Sequence, residues 1–440
     1  LTNMVKTNIL GKSQAVPQAY RANFLHLYLD IAWFAVLSGS AIAFVGVFAA
    51  RQGASALQIG LLNAGPAVVN LLFTLPAGQW LRQRPISGSV FWTAVFHRLA
   101  YVVWIFLPAW LLPAGQVQAL ILLTLLMSVP GTGLAIGFNA LFASAVPAGW
   151  RSHVTGVRNV LLSVGYIGAS LLCGWLLDVL PFPLGYQVVF GLGALGAALS
   201  TLHLWFVRPL IADTQPLQRR RRGLVVPGLF RIWGDSTQPA MGLRLLARGR
   251  SWRRLLNVSV LNGRYGQIML ALFFFHLTQH LATPLYPLYW VNRLQLTDQH
   301  IGLGNALFYF TVLLGSMPLA RLTARHGYHR LLGAGALLLS LYPALTAMTR
   351  ALPLFLVTSV VGGFAWALVS GVIANYLLDQ MPDDDRPAHL AWYNMALNGA
   401  LLLGSLGAPL LAEQFGLIEA LVVAAVGRFM AAVAIFKLRE

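Results

Sequence analysis

Asp30 is the first residue whose type and position suggest chemistry. It lies in the run FLHLYLDIAWF, residues 24–34, inside an apolar stretch from 22 to 50 that is long enough to cross a bilayer. At 1.5 Å per residue it sits about 12 Å in from the nearer edge. A carboxylate at that depth costs about 2.5–3.5 kcal/mol even on the lenient insertion scale, so it calls for a partner or a role. His26 is one turn away on the same face, and Arg158 and Arg98 are the candidate partners. Two readings stay open: a proton site that changes charge during a working cycle, or a permanent Asp–Arg clip.

A second constellation lies in FFFHLTQHLATP, residues 273–284. His276, Gln279, His280 and Thr283 fall at i, i+3, i+4 and i+7, one polar stripe on an otherwise apolar helix. Histidine titrates near physiological pH, so the stripe can bind a polar substrate group or carry protons. Inter-helix hydrogen bonds, worth about 0.6 kcal/mol each in membranes, are the plainer alternative. No His-Glu-x-x-His motif and no cysteine pair accompanies the two histidines, so no metal is expected. The GKS at 11–13 is not a phosphate loop, because Lys6 stands where its first glycine is required. An ATP-driven pump is disfavoured, and no cofactor is expected.

The elements that must position these residues are membrane helices. The chain has 440 residues, 58% hydrophobic and 10% charged, against about 25% charged in soluble domains. Apolar stretches of spanning length recur at about 22–50, 58–81, 89–112, 117–146, 153–181, 185–207, 266–291, 301–322, 331–349, 353–380, 389–412 and 416–437. The expected fold is therefore an all-α membrane protein of about twelve transmembrane helices. The first stretch is full-length and leads directly into further spans, so it reads as a span rather than a cleavable signal. The single cysteine, Cys173, excludes an intrachain disulfide.

The net charge of +18 reports topology rather than nucleic-acid binding. If the N-terminus is inside, the inner loops hold most of the arginines, and the outer loops only Arg51, Arg293 and Arg350. This bias places both termini in the cytoplasm of a multi-pass plasma (inner) membrane protein. The densest basic segment, 208–262, suits anionic inner-leaflet lipids, and MGLRLLARGRSWRRLL at 241–256 reads as an interfacial helix or a basic linker. It divides the chain into a bundle at 1–207 and another at 263–440.

The two halves share phrases in the same order. QIGLLNA at 58–64 matches HIGLGNA at 300–306, and VPAGWRSHVTGVRN at 146–159 matches MPDDDRPAHLAWYN at 381–394. GYIGA at 165–169 matches GSLGA at 404–408. Three ordered pairs imply a parallel six-helix repeat. With the basic inner linker and the Pro-x-x-x-Arg phrases opening spans five and eleven, the chain resembles the major facilitator superfamily over nearly its whole length. The family phrase Gly-x-x-x-Asp-Arg-x-Gly-Arg-Lys is eroded here. GQWLRQRP at 78–85 has Arg82 at the Asp position and Pro85 at the second Gly, and the second copy has Ala324 at the Asp position.

The resemblance implies two pseudo-symmetric bundles that rock about a central path lined by helices one, four, seven and ten. Asp30 would then face a wet cavity as the proton-coupling candidate, with His26 and Arg158. The substrate-cavity candidates are His276, Gln279, His280, Thr283, Asn139, Trp366, Ser370 and Asn375, with Asn70 and Tyr309 beside them. Arg82 and Arg84 could latch onto Asp383, Asp384 and Asp385 with the family's charges exchanged; alternatively those aspartates are a solvated helix start. Arg98 and Arg428 fall in helices the family places outside, where snorkelling to the interface is expected. An anionic substrate would want a central cation, and helices one, four, seven and ten hold none at mid-depth. The expected function is secondary active transport of a small molecule, proton-coupled, with export of an amphiphile placed ahead of uptake of a polar solute. No enzymatic activity is expected, and a monomer is. A non-transporting sensor or assembly factor on the same fold is the rival.

Overall fold

The computed structural model describes residues 18–210, 258–382 and 386–438, with two short strands, Val5–Thr7 and Ser13–Ala15, paired antiparallel. The segment 241–256 and Asp383, Asp384 and Asp385 lie outside the described residues.

Among the described residues twelve long helices follow in chain order: α1 Gln18–Arg51, α2 Ala56–Arg82, α3 Ile86–Trp104, α4 Pro113–Ala145, α5 Arg151–Val179 and α6 Leu184–Phe206, then α7 Arg264–Arg293, α8 Asp298–Ser316, α9 Leu319–Met348, α10 Leu352–Asp379, α11 Arg386–Phe415 and α12 Leu417–Lys437. Eleven of them are long and apolar enough to cross a membrane; α8 is the exception. Asp298, Gln299 and His300 occupy its first turn and dilute a helix of only 19 residues.

The repeated phrases mark repeated structure. In QIGLLNA the helix is started by Ser55, whose hydroxyl accepts from Gln58 N while the Gln58 side chain accepts from Ser55 N, a capping box. In HIGLGNA the same job falls to Thr297, which accepts from His300 N. The preceding turn needs a left-handed residue in both halves, Gly53 (φ 77°) in one and Gln295 (φ 52°) in the other. In the eroded inner phrase Gly327 persists because it holds φ 75°, and α9 kinks there.

Within the first half α1 packs on α5 and α6, α4 on α2 and α3, and α3 on α6. The second half repeats this with α7 on α11 and α12, α10 on α8 and α9, and α9 on α12. The halves meet along α2–α11 and α5–α8. On the second seam Gly174 and Gly302 face each other, and a Cβ on Gly302 would stand 2.6 Å from Ser170 O.

The core is not evenly shared. At the end where α1 finishes and α8 begins, one apolar cluster joins both halves, from Phe44, Phe48 and Phe190 to Leu285, Tyr289 and Ile301. At the opposite end, where the chain begins and ends, each half keeps its own cluster: Phe24, Leu27, Trp150 and Leu204 in the first, Tyr265, Leu331, Tyr376 and Tyr393 in the second. The arginine bias read from the sequence would make the joined end the outer one and the divided end the inner one, and the two ends are labelled on that expectation. A small cluster between them, including Ile31, Leu162, Tyr166 and Val312, closes the middle.

Candidate functional site

Asp30 is buried, 3% exposed, where α1 meets α5 and α6. Its Oδ2 lies 3.0 Å from Arg158 Nη1, and Ser200 Oγ on α6 donates to its Oδ1 at 2.6 Å. Arg158 also donates to Leu27 O, and its guanidinium lies 5.0 Å from the Phe138 ring. The carboxylate is thus inside the first bundle, not on an open cavity wall. That corrects the expectation drawn from helix position: a residue on α1 has a bundle-facing side as well as a path-facing side.

Arg98 joins the same region from α3. It donates to Thr201 Oγ1 at 2.8 Å and Ala197 O at 3.3 Å, beside Ser200. His26 does not pair with Asp30. Its Nδ1 lies 3.1 Å from Nδ1 of His203, so one ring donates and the other accepts, and it stacks on Phe206. The snorkelling expectation for Arg98 and Arg428 is also corrected. They are 7% and 2% exposed, and both turn inward to donate to carbonyls of neighbouring helices. A guanidinium with five donors can tie several helix backbones at once.

Pseudo-symmetry shows what the ion pair replaces. A Cβ on Gly165 of α5 would meet Ala35 and Ala32 O of α1, and one on Gly404 of α11 would meet His280 and Leu277 O of α7. The register of α1 on α7, Ala35 with His280, sets Asp30 opposite Phe275, and that of α5 on α11, Gly165 with Gly404, sets Arg158 opposite Leu397. Both of those are buried apolar residues of the second-half core. That junction can therefore be filled without charge.

The helix-seven stripe turns mostly toward α11. His276 Nε2 lies 3.2 Å from Tyr393 Oη, and His280 is 1% exposed against Gly404. Thr283 Oγ1 donates to Gln279 O at 3.0 Å. Asn139 donates to Ala135 O one turn back, and Asn70 accepts from Thr132. Trp366 and Tyr309 do reach the seam. Tyr309 of α8 and Tyr166 of α5 face each other at 4.0 Å between ring centroids, with Phe34, Phe308 and Trp366 around them. Ser370 is buried on α10 and Asn375 is half-buried one helix turn further on. Of the latch candidates, the Arg84 guanidinium stands 4.9 Å from the Trp80 ring; the Arg82 side chain is outside the described residues. Among the described residues no three His, Cys, Asp or Glu side chains form a metal site.

The outer end holds a cluster that the sequence reading missed. Arg51 Nε lies 3.0 Å from Asp298 Oδ1, and its Nη2 donates to Leu296 O at 2.8 Å. Asp298 N donates to Asp178 Oδ1 at 3.0 Å, and Tyr186 Oη lies 3.4 Å from both Asp298 oxygens. These contacts tie α1, α5 and α6 to α8 around a cavity of about 660 Å³. Outer-loop position gave Arg51 no partner in the sequence, since Asp298 lies 247 positions away.

Two bundles of six helices, joined at one end and divided at the other, define an all-α fold of membrane-spanning length. Residues 268–440 match the family model described as Major Facilitator Superfamily. That match covers the second half of the chain. A nucleoside transporter, NupG, has a similar structure at 14% identity and TM-score 0.66, over 95% of this chain and 100% of that one. A D-xylose–proton symporter is similar at 15% identity and TM-score 0.65, over 95% and 98%. A bacterial homologue of the iron transporter ferroportin, solved in an inward-facing state, is similar at 17% identity and TM-score 0.65, over 97% and 99%. No curated protein matches the chain by sequence. At these identities the likeness is one of fold.

Proposed function

We propose that this chain is a secondary active transporter that works by alternating access, is coupled to protons through the Asp30–Arg158–Ser200 cluster, and exports an amphiphilic small molecule. The observation that carries the first part is the uneven core: one apolar cluster at the outer end and two at the inner end. That is the arrangement of a carrier closed on one side and ready to open on the other. Proton coupling is supported by a carboxylate buried inside the first bundle whose protonation would release Arg158, at a junction the second half builds from Phe275 and Leu397. The amphiphile is supported by the aromatic seam around Tyr166, Tyr309 and Trp366. The unit of the design is two bundles, 1–207 and 263–440, and the basic composition of 208–262 suits anionic lipids.

The test uses purified protein in proteoliposomes with an imposed pH gradient and a panel of amphiphilic dyes, D-xylose and a nucleoside. Gradient-driven movement of a dye out of the compartment that corresponds to the cell interior is the expected result. Movement of the polar solutes in the other direction would replace export with uptake. Binding without flux in either direction would leave a sensor.

A further inference from the structure

The membrane interior carries an uneven set of charges. Asp30, Arg98, Arg158 and Arg428 are all buried between helices, and Asp298, the other buried carboxylate among the described residues, is paired with Arg51 at the outer end. Asp30 balances one of the three interior arginines, and Arg98 sits beside that pair. Arg428 is different. Among the described residues no carboxylate lies within ion-pair distance of it.

Arg428 projects from α12 between α7 and α9. Its Nη1 donates to Leu339 O at 3.0 Å, and its Nη2 to Gln279 O at 3.3 Å and Thr278 O at 3.5 Å. Carbonyls satisfy donors but do not neutralise a charge, and a buried cation in a membrane is retained where it has a counter-ion or a task. Three buried polar atoms in this region make no well-aligned hydrogen bond: Arg428 Nε, Gln279 Oε1 and the Tyr286 hydroxyl. Tyr286 lies within hydrogen-bond reach of Arg428, so its hydroxyl can accept from the guanidinium and keep its own proton to donate. A hydroxyl proton left to donate beside a net positive charge, out of water, describes a place for an anion.

The same place is connected to the seam between the halves by aromatic rings. Tyr286 lies 4.9 Å from Tyr342, Tyr342 lies 5.9 Å from Phe308, and Phe308 lies 5.5 Å from Tyr309, which faces Tyr166 at 4.0 Å. We propose that Arg428 and the Tyr286 hydroxyl dock the carboxylate of an aromatic organic anion, whose ring system lies along Tyr342, Phe308 and Tyr309. This sets aside the expectation that the absence of a cation in helices one, four, seven and ten disfavours anions, because α12 supplies one. As a substrate class it rests on the transporter reading; as a binding site it does not.

The experiment is calorimetric titration of the purified full chain with indole-3-acetate and its uncharged amide, indole-3-acetamide. The acid should bind at least about tenfold more tightly, the discrimination a charge-assisted docking point supplies. Arg428→Gln should remove the preference. Tyr286→Phe should reduce it several-fold with an unchanged thermal midpoint, and it keeps the test decisive if Arg428→Gln does not fold, since it deletes one hydroxyl. Equal binding of the pair, no binding of either, or a preference untouched by both substitutions would overturn the proposal and leave Arg428 as a staple between α12, α7 and α9. A carboxylate preference without flux of either probe, or of the dyes and polar solutes above, in proteoliposomes would sink the transporter reading and spare the site. Flux of other solutes without the preference would do the reverse.

Discussion

At the scale of single residues, Asp30 poses the sharpest question, because its surroundings allow both a clip and a switch. Arg158 at 3.0 Å and Ser200 at 2.6 Å satisfy both carboxylate oxygens. Removing the charge alone, in Asp30→Asn, leaves Arg158 buried without a counter-ion, and breaking a buried pair in this way costs about 3–5 kcal/mol. A fall in the thermal midpoint of Asp30→Asn is therefore expected whichever role is right, and it decides nothing. The double variant Asp30→Phe with Arg158→Leu decides, because it installs the apolar pair that the second half already uses as Phe275 and Leu397. Replacing a buried pair by apolar residues of similar volume is often neutral or stabilising. We expect the double variant to recover the midpoint of the wild type and to lose the pH dependence of transport. Recovery of both stability and pH-dependent transport would make the pair a clip. The pair itself was legible in the sequence, since a lone carboxylate in an apolar run has few cations to choose from. The His26–His203 contact was not, because its partners lie 177 positions apart and nothing in either helix pattern singles out His203.

At the scale of helices, the α5–α8 seam decides whether the outer end can open. Gly174 and Gly302 let the two backbones approach, and a Cβ on Gly174 would stand 2.8 Å from Asp298 O. Ser170 Oγ donates to Gly302 O at 3.2 Å across the same contact. A side chain at either glycine must push the helices apart, since backbone atoms cannot give way as a side chain can. Cys173, the one cysteine of the chain, is 1% exposed beside this seam and serves as a native reporter. Gly302→Val is expected to raise the rate of N-ethylmaleimide modification of Cys173 at least several-fold by favouring an open outer end. An unchanged rate would mean that the seam does not control access there. The helices themselves were readable, because spans of about 20 apolar residues and a twice-written phrase survive without any tertiary information. The faces of those helices were not. Every span is apolar nearly all round, so the sequence gives little sign of which side meets lipid and which meets a neighbour. That is why Arg428 read as snorkelling and the helix-seven stripe as cavity lining.

At the scale of the whole molecule, the two ends are held by different kinds of interaction. The outer end combines a shared apolar cluster with the Arg51–Asp298 pair, the Tyr186 hydroxyl and the Asp178 contact to Asp298 N. The inner end has two apolar clusters, one per half. A carrier that alternates must weaken the first set as it brings the second pair of surfaces together, so motions at the two ends should be anticorrelated. Spin labels test this directly at Gln52 and Gln295, which border the outer cavity, and at Ser152 and Ala324, which are exposed on opposite halves at the inner end. The outer pair should give one short distance in the resting protein. Weakening the gate with Arg51→Gln, whose ion pair is 29% exposed on the arginine side, should add a population with a longer outer distance. The same population should show a shorter inner distance, because the bundles rock as bodies rather than bend. A part-exposed pair contributes on the order of 1 kcal/mol, enough to move a balanced equilibrium several-fold but not to abolish either state. If the outer distance lengthens while the inner one stays fixed, the Arg51–Asp298 contact is a local lid over the 660 Å³ cavity. The rocking of two halves would then have to be abandoned for a gate that moves alone.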